Sequence, residues 1–396
     1  MREHFINADF DLGLRSGRIA GINDARARQA RELTMHMLLL GVEGDSILAP
    51  AEPQGEFLDY LQRLQIPTPQ VCVGPSLTRG ARFTPFGWNE DAANRNRFYE
   101  EPSPYPPLEV VRRVNGRLFS ADVERRRWGG EHVVSVVRSA RDLAEALSGR
   151  PSDENGWVVK SEHGNGAFGN RRLRSRALGA ADREALARLL TEDECAVVET
   201  WRERTLDLAS IFDVDHRGVV DGLFTYEVVN TADGAFIGDI FDPDPPALER
   251  WGNDIRSMVA VVAAELVIAG YFGPVCVDSF VWNDGGVERL RPVVDINARL
   301  FMAAAAERLW RLWGRDRVVY WRLFSTRKLR LPGSFADFEV VLGGDAFHPK
   351  TRCGVLVTSP MEVEGRLPRR LGVLLAGEDR GAVDALDQRF REFFEK

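Results

Sequence analysis

The stretch GPVCVDSFVWNDGGVERLRPVVDINAR, residues 273–299, decides the fold of this chain. Two runs rich in β-branched and aromatic residues, 275–282 and 287–296, flank Asn283-Asp284-Gly285-Gly286. Asn, Asp and Gly favour the backbone conformations of tight turns, whereas the flanking residues favour strands. The stretch therefore predicts a β-hairpin.

This hairpin carries hard oxygen donors. Asp278 lies on the first strand, and Asp295 and Asn297 lie on the second. Carboxylate and amide oxygens suit a magnesium ion that bridges nucleotide phosphates. Acids on strands are as often salt-bridged, here to Arg289 or Arg291, so the pair alone leaves both interpretations open.

Strand register sets a condition on the metal interpretation. If the hairpin turned tightly at Asp284-Gly285, Arg291 and not Asp295 would lie opposite Asp278. A wider loop or a bulge before Arg291 is therefore required.

A second informative segment is WVVKSEHGNGAFG, residues 157–169. Only four of the 52 basic residues are lysines, so Lys160 at the end of an apolar strand calls for an explanation. The loop after it contains Gly164, Gly166 and Gly169. Glycines let backbone N–H groups approach a polyphosphate closely, although such a loop taken alone is more often a structural turn.

The same loop matches GxGxxG, the pattern of nicotinamide-dependent oxidoreductases. A dinucleotide-binding fold needs a helix after the loop, and residues 171–174, Arg-Arg-Leu-Arg, are strand-like. The match is interpreted as accidental.

The order of lysine, glycine loop and metal-type acids, over residues 108–305, resembles the ATP-grasp superfamily. The resemblance implies a mixed α/β and α+β multidomain chain: two α+β subdomains that clamp ATP, preceded by a small α/β domain. It also implies ATP and Mg²⁺, with Mn²⁺ as an alternative ion. The activity it implies is that of a carboxylate–amine ligase, which activates a carboxylate as an acyl phosphate.

The resemblance assigns roles to individual residues. Lys160 matches the lysine at the α- and β-phosphates, and residues 164–169 match the phosphate-covering loop. Glu199 would accept from the adenine amino group, the backbone of Thr200 and Trp201 would form the hinge, and Asp207 would meet the ribose. The implied metal ligands are Asp278, Asp295 and Asn297.

Some positions depart from the family pattern. Arg117 stands where many members have a second phosphate-binding lysine, Asp295 replaces the usual Glu, and Cys276 stands where some relatives have an arginine. Stabilisation of the acyl group then falls to Arg299 or Arg291. His163, in the loop, is a candidate phosphate contact or base, although a polar loop residue is the simpler interpretation.

Composition and charge bear on the domain organisation, the class of partner and the location of the protein. The proline-rich residues 101–107 mark a boundary, which divides the chain into 1–107 (substrate domain), 108–195 (central subdomain) and 196–396 (C-terminal subdomain). The net charge of −7 gives no basic surface for nucleic acid. The N-terminus lacks a secretory signal and residues 258–277 read as a buried helix followed by a strand, so no membrane partner and a cytoplasmic location are expected. A homodimer is left open.

The function predicted is the joining of a small-molecule carboxylate to an amine, with an amino acid or small peptide as substrate, by analogy with stand-alone ligases. The alternatives are a non-catalytic ATP-binding module and, on GxGxxG alone, a nicotinamide-dependent oxidoreductase. Release of ADP would separate the three.

Overall fold

The computed structural model describes residues 1–16, 24–74, 77–148, 156–164, 170–193, 195–232 and 234–396. Three β-sheets follow one another along the chain, and helices cover them. The chain thus has the mixed, multidomain α/β architecture expected from the sequence.

The first sheet is parallel, with strand order β3-β2-β1-β4. Its strands are β1 (Arg2–Phe5), β2 (Ser46–Ala49), β3 (Gln70–Val73) and β4 (Arg82–Pro85). The helices of this part are α1 (Phe10–Ser16), α2 (Asp24–His36), α3 (Gly55–Arg63) and α4 (Glu90–Asn96), with a 3₁₀ turn at Leu38–Leu40. The predicted strands at 46–49 and 70–73 are confirmed.

The second sheet is antiparallel, with order β5-β8-β6-β7. Its strands are β5 (Val133–Val137), β6 (Trp157–Ser161), β7 (Asn170–Leu173) and β8 (Ala196–Thr200). The helices here are α5 (Leu108–Val114), α6 (Arg117–Trp128), α7 (Ala140–Ser148) and α8 (Ala180–Glu192). Because β6 and β7 pair antiparallel, the glycine loop joins two strands of a hairpin, which excludes the dinucleotide-binding interpretation.

The third sheet has eight strands in the order β13-β12-β9-β10-β11-β14-β16-β15, and every neighbouring pair is antiparallel. Its strands are β9 (Arg204–Val214), β10 (Val220–Asn230), β11 (Phe236–Phe241), β12 (Gly273–Asp284), β13 (Val287–Asn297), β14 (Val318–Ser325), β15 (Gly354–Val357) and β16 (Arg370–Gly377). Its helices are α9 (Pro246–Ala269), α10 (Ala304–Leu312), α11 (Phe335–Leu342) and α12 (Arg380–Phe394), with 3₁₀ turns at Thr326–Lys328 and Gly343–Asp345.

One continuous hydrophobic core joins the first and third sheets, whereas the second sheet has a core of its own. Phe57 of α3, for example, packs on Phe335 of α11 with ring centroids 5.5 Å apart. The second sheet and its two helices α7 and α8 therefore form a separate body beside the other two.

The predicted hairpin is present, and its register differs in detail from the expectation. The turn is tight, with Asp284 opposite Val287, and the irregularity follows Arg291 instead of preceding it. Between the pairs Phe280–Arg291 and Asp278–Asp295, β12 has one residue and β13 has three. The single β12 residue, Ser279, donates to the carbonyl of Pro292 at 2.6 Å. Proline has no N–H to give to a ladder, so the pairing breaks at this point.

Residues 258–277 run through the end of α9 into β12, as predicted. Among the described residues, no helix combines the length and apolar character needed to cross a bilayer. The four cysteines have free thiols, and of these Cys195 and Cys276 are buried while Cys72 and Cys353 are partly buried.

Candidate functional site

Two carboxylates face each other on adjacent strands. Asp278 of β12 lies directly opposite Asp295 of β13, and Asn297 donates from Nδ2 to Asp278 Oδ2 at 3.1 Å. Burial, with the charge of Asp295 as the next cause, raises the pKa of Asp278 to about 7. Two acids so placed are stabilised by a cation.

Arg299 lies two residues beyond the end of β13. Its Nη2 donates to Asn297 Oδ1 at 3.1 Å, and its Nε donates to Asp11 Oδ1 of α1 at 3.0 Å. The guanidinium also lies 5.2 Å from the centroid of the Phe86 ring, and the residue is only 8% exposed. A buried arginine held on three sides is fixed in direction.

Two further cations approach the acids from the second sheet and its flanking helix. Arg117, the first residue of α6, places Nε 3.2 Å from Asp295 Oδ2 and donates from Nη1 to the carbonyl of Ser161 at 2.6 Å. Lys160 of β6 places Nζ 2.7 Å from Glu199 Oε2. Burial lowers the pKa of Lys160, and the Glu199 carboxylate opposes that shift.

Arg291 and Glu199 belong to a buried ion-pair network. Arg291 donates to both oxygens of Glu124 at 2.8 and 2.6 Å and to Glu199 Oε2 at 2.8 Å. Burial opposes the charge on Glu199, but Arg291 and Lys160 outweigh it and hold its pKa below the usual range. The sequence offered Arg291 as a candidate for stabilising the acyl group. In the structure its side chain is instead buried, because its three donors bind the two glutamates.

The predicted adenine contacts also have partners within the protein. The N–H of Thr200 donates to His132 O at 2.9 Å, and that of Trp201 donates to Gly156 O at 3.0 Å. An adenine amino group would have to share the Glu199 carboxylate with two cations.

The remaining predicted residues divide between two places. Asp207 accepts from Arg204 at 2.8 Å and lines the same cavity as the acids. His163 is buried, with Nε2 3.1 Å from Arg112 O and Nδ1 3.5 Å from Asp193. Gly164 lines the cavity, whereas Gly166 and Gly169 lie outside the described residues.

A cavity of about 220 Å³ brings most of these side chains together. The predicted residues that line it are Arg117, Lys160, Gly164, Asp207, Asp278, Asp295, Asn297 and Arg299. His163, Glu199, Thr200, Trp201 and Arg291 lie outside its lining. One cavity therefore combines cationic side chains with a pair of carboxylates.

Of the comparisons with known proteins, only the one with solved structures finds matches. No known family model matches the sequence, and no curated protein matches it. Among solved structures, N5-carboxyaminoimidazole ribonucleotide synthetase from Thermus thermophilus aligns over 99% of this chain and 98% of its own, at 15% identity and a TM-score of 0.55. Phosphoribosylamine–glycine ligase from Thermotoga maritima aligns over 100% and 97%, at 11% identity and a TM-score of 0.55.

A third structure is N5-carboxyaminoimidazole synthase from Aspergillus clavatus in complex with ADP and 5-aminoimidazole ribonucleotide. It covers 99% of this chain and 98% of its own, at 12% identity and a TM-score of 0.53. These are ATP-grasp structures, matched nearly end to end. This chain has the ATP-grasp fold. At such low identity the likeness extends to the fold and no further.

The candidate site has neighbours that sequence reasoning missed. Asp239 of β11 is 2% exposed and lines the cavity, and burial together with the Asp278 charge raises its pKa well above the usual range. A lone acid in the apolar strand 236–241 was the available signal. Glu124 lies seven residues after Arg117 and four residues after Ser120. Helical spacing could therefore have placed all three on one face of α6.

The donor set of the candidate site fits a hard divalent cation. Asp278, Asp295 and Asn297 supply oxygens, and the raised pKa of Asp278 follows from burial beside a second acid. Within the described part of the chain, no group of three or more His, Cys, Asp or Glu side chains is arranged to hold a metal ion. The protein therefore offers a partial ligand set, which suits an ion that also binds phosphate oxygens.

Proposed function

We propose that this protein is an ATP- and magnesium-dependent ligase that joins a carboxylate to an amine. The observation that carries the proposal is the convergence of Lys160, Arg117 and Arg299 with the Asp278–Asp295 pair in one cavity. Cations alone would suit many anions, and acids alone would suit many cations. Their combination suits a nucleotide triphosphate with its metal.

An unactivated carboxylate reacts poorly with amines because its leaving group would be oxide. In the proposed reaction the substrate carboxylate attacks the γ-phosphate of ATP, which gives an acyl phosphate and ADP. The amine then displaces phosphate, so that one amide bond forms and one acyl–oxygen bond breaks.

The residues of this chain would act by position and charge. Lys160 and Arg117 would hold the phosphates, with Gly164 beside them, and Asp207 would meet the ribose. Asp278, Asp295 and Asn297 would hold a magnesium ion, which supplies charge neutralisation to the phosphates when bound.

Arg299 would stabilise the negative charge that develops on the transferred phosphoryl and acyl oxygens. Its bonds to Asp11 and Asn297 fix its planar donors beside the acids. Arg291 and Glu199 would act as positioning residues, because Glu199 binds Lys160 directly and Arg291 binds Glu199.

We infer an amino acid or small peptide as the substrate class, by analogy with stand-alone ligases. The structural neighbours offer other chemistries: one acts on 5-aminoimidazole ribonucleotide to judge by its complex, and another joins glycine to phosphoribosylamine by its name. The substrate panel should therefore include phosphorylated amines beside amino acids.

A non-catalytic ATP-binding protein is the second candidate. It is favoured by the ion pairs that already neutralise Lys160 with Glu199 and Arg117 with Asp295. Measurement of ADP release with magnesium and pairs of carboxylates and amines tests both. ADP release that requires both substrates supports the ligase, whereas ATP binding without release under any pair supports the second candidate.

A further inference from the structure

A second, larger cavity of about 650 Å³ adjoins the first. It lies among α1 and α2 of the N-terminal part, α8 of the second, and the strands β14 and β16 of the third. Asn170, Phe236 and Met302 line both cavities. A molecule bound in the larger cavity would therefore border on the proposed phosphoryl-transfer site.

Five arginines line this second cavity, and three of them have a carboxylate partner. Arg15 places Nε 3.5 Å from Asp193, Arg171 pairs with Asp182 at 2.6 Å, and Arg188 pairs with Glu184 at 3.1 Å. The charges of these three are compensated by the protein itself.

Arg369 and Arg370 differ from them. Neither forms an ion pair with a carboxylate in the described part of the chain. Arg370 donates from Nη1 to the carbonyl of Phe236 at 2.9 Å, and partial burial lowers its pKa with no acid near enough to offset the loss of hydration. An arginine that loses water without gaining an anion is destabilised until one binds.

Two of the three acids that line this cavity have cationic partners, and burial raises the pKa of the third, Asp9. Glu32 accepts from Arg28 Nε at 3.2 Å, and Asp11 accepts from Arg299 Nε at 3.0 Å. Glu32 also accepts from the backbone N–H of Arg369 at 3.0 Å, a bond that orients the chain there without involving the guanidinium. Arg369 and Arg370, consecutive in the chain and both in the cavity lining, thus add uncompensated positive charge to the cavity wall.

His36 adds a polar group next to them. It is 3% exposed, its Nδ1 has no hydrogen-bond partner among the described residues, and it lines the cavity. A Cβ at position 372 would lie 2.8 Å from this Nδ1, so Gly372 leaves the room that brings the imidazole against β16.

We propose that the second cavity binds a substrate with an anionic group besides the carboxylate that is activated, and that Arg369 and Arg370 hold this group. The group is a second carboxylate or a phosphate, since both match the planar donors of arginine. The inference rests on the proposed function in one respect only, because the ligand is identified as a substrate of the proposed ligase.

The test uses anion binding to the full-length protein by calorimetry. The probes are inorganic phosphate, the dianion glutarate, and butyrate as a singly charged probe of similar length. Each titration is run with and without saturating MgADP, because phosphate could also bind beside Lys160. The test variant is Arg369→Gln combined with Arg370→Gln, since glutamine keeps a donor for the Phe236 carbonyl. Arg188→Gln, in the same cavity wall, is the matched control.

We expect phosphate or glutarate to bind the wild type more tightly than butyrate, with MgADP present. The double variant should lose about tenfold or more in that affinity, as for a charge-assisted hydrogen bond. The control should change it less than about fivefold, as for an exposed ion pair. The tighter of the two dianionic probes identifies the group as phosphate or carboxylate. Absence of dianion binding by the wild type, or equal affinities in wild type and double variant, would overturn the proposal.

The two proposals fail separately. Arginine-dependent dianion binding without ADP release from any substrate pair would sink the ligase function and leave the anion site. Conversely, ADP release with doubly charged carboxylates at the same rate in wild type and double variant would leave the ligase and remove the anion site.

Discussion

Arg299 donates a hydrogen bond of 3.0 Å to Asp11, a residue 288 positions earlier in the chain. The bond joins the end of β13, where the metal-type acids lie, to α1 of the N-terminal part. The same guanidinium donates to Asn297 at 3.1 Å. One side chain thus connects the proposed metal site with the wall of the second cavity, which Asp11 lines.

Arg299→Lys should lose turnover by about 100-fold or more with ATP affinity nearly unchanged. A lysine keeps the charge but cannot reach Asp11 and Asn297 together in the plane that a guanidinium spans. Steady-state ADP release and calorimetric ATP affinity on one preparation measure the two effects.

A matched change for this experiment is Arg308→Lys, since Arg308 is a partly buried arginine that donates to Gly41 O at 2.9 Å away from the site. It should leave both quantities near wild type. If Arg299→Lys behaves like this control, the acyl-phosphate site is not beside Arg299.

Lys160→Ala should weaken ATP binding at least tenfold while the protein stays folded. The change removes the proposed charge-assisted phosphate contact, and it also lowers stability, because Glu199 and Glu124 then share the single charge of Arg291. Calorimetry measures the affinity, and circular dichroism checks the fold. Lys350→Ala, at an exposed lysine, is the control. Unchanged affinity in Lys160→Ala would remove this residue from the nucleotide site.

Asp295→Asn should retain part of the nucleotide affinity and lose most of the turnover, because the metal matters most as charge redistributes between phosphates. Chelation of magnesium with EDTA should abolish ADP release by the wild type, and Mn²⁺ should restore it. The measurement is ADP release across a magnesium titration. Full activity of Asp295→Asn at low magnesium would contradict its role as a ligand.

Local patterns were sufficient to predict the hairpin and several strands, because strand alternation and turn residues act over a few positions. They were not sufficient to place Arg291. Its partner Glu124 lies 167 residues away in the chain, and the tight turn, with the irregularity that follows Arg291, places Arg291 opposite Phe280 and Asp295 opposite Asp278. Long-range ion pairs of this kind have no local signal.

The C-terminal helix gives a second example at smaller scale. Helical spacing alone allows Val383, Leu386, Phe390 and Phe393 to share one face of α12, and the structure buries the first three. Phe394 is buried in place of Phe393, which is 44% exposed. Both 390 to 393 and 390 to 394 are helical spacings, and the aromatic contact of Phe394 with Phe338 at 4.4 Å decides between them.

His36 predicts a pH dependence of stability. Burial, followed by the charge of Arg370, lowers its pKa from the usual 6.5 to about 4. The unfolded chain therefore binds a proton at higher pH than the folded protein does. The stability contributed by neutral His36 is present above pH 6.5 and is lost as the pH falls to about 4.

Replacement of His36 by Gln should reduce the loss of unfolding free energy between pH 7 and pH 4, by up to roughly 3 kcal/mol. Urea unfolding at several pH values measures the slope. Some slope should remain, because burial also lowers the pKa of His132 to about 3. His216→Gln, at an exposed site, should keep the wild-type slope. Equal slopes in wild type and His36→Gln would contradict the prediction.

The network of Lys160, Glu199, Arg291 and Glu124 contains two positive and two negative side chains, all at most 5% exposed. Its charges balance only if all four are present. Removal of one member leaves a buried charge without a partner, which is costly, whereas removal of an oppositely charged pair leaves the other pair balanced.

Arg291→Met should therefore destabilise the protein by roughly 3 to 5 kcal/mol and weaken ATP binding, because two glutamates would then compete for Lys160. The double variant Arg291→Met with Glu124→Leu should recover most of the stability and part of the turnover, since Lys160 and Glu199 remain a matched pair. Urea unfolding and ADP release on the single and double variants measure both effects. A direct catalytic role for Arg291 predicts the opposite result for activity: the double variant would regain stability and stay as inactive as the single one. Recovery of the two quantities together identifies Arg291 as a positioning residue, which acts on the nucleotide site through Glu199.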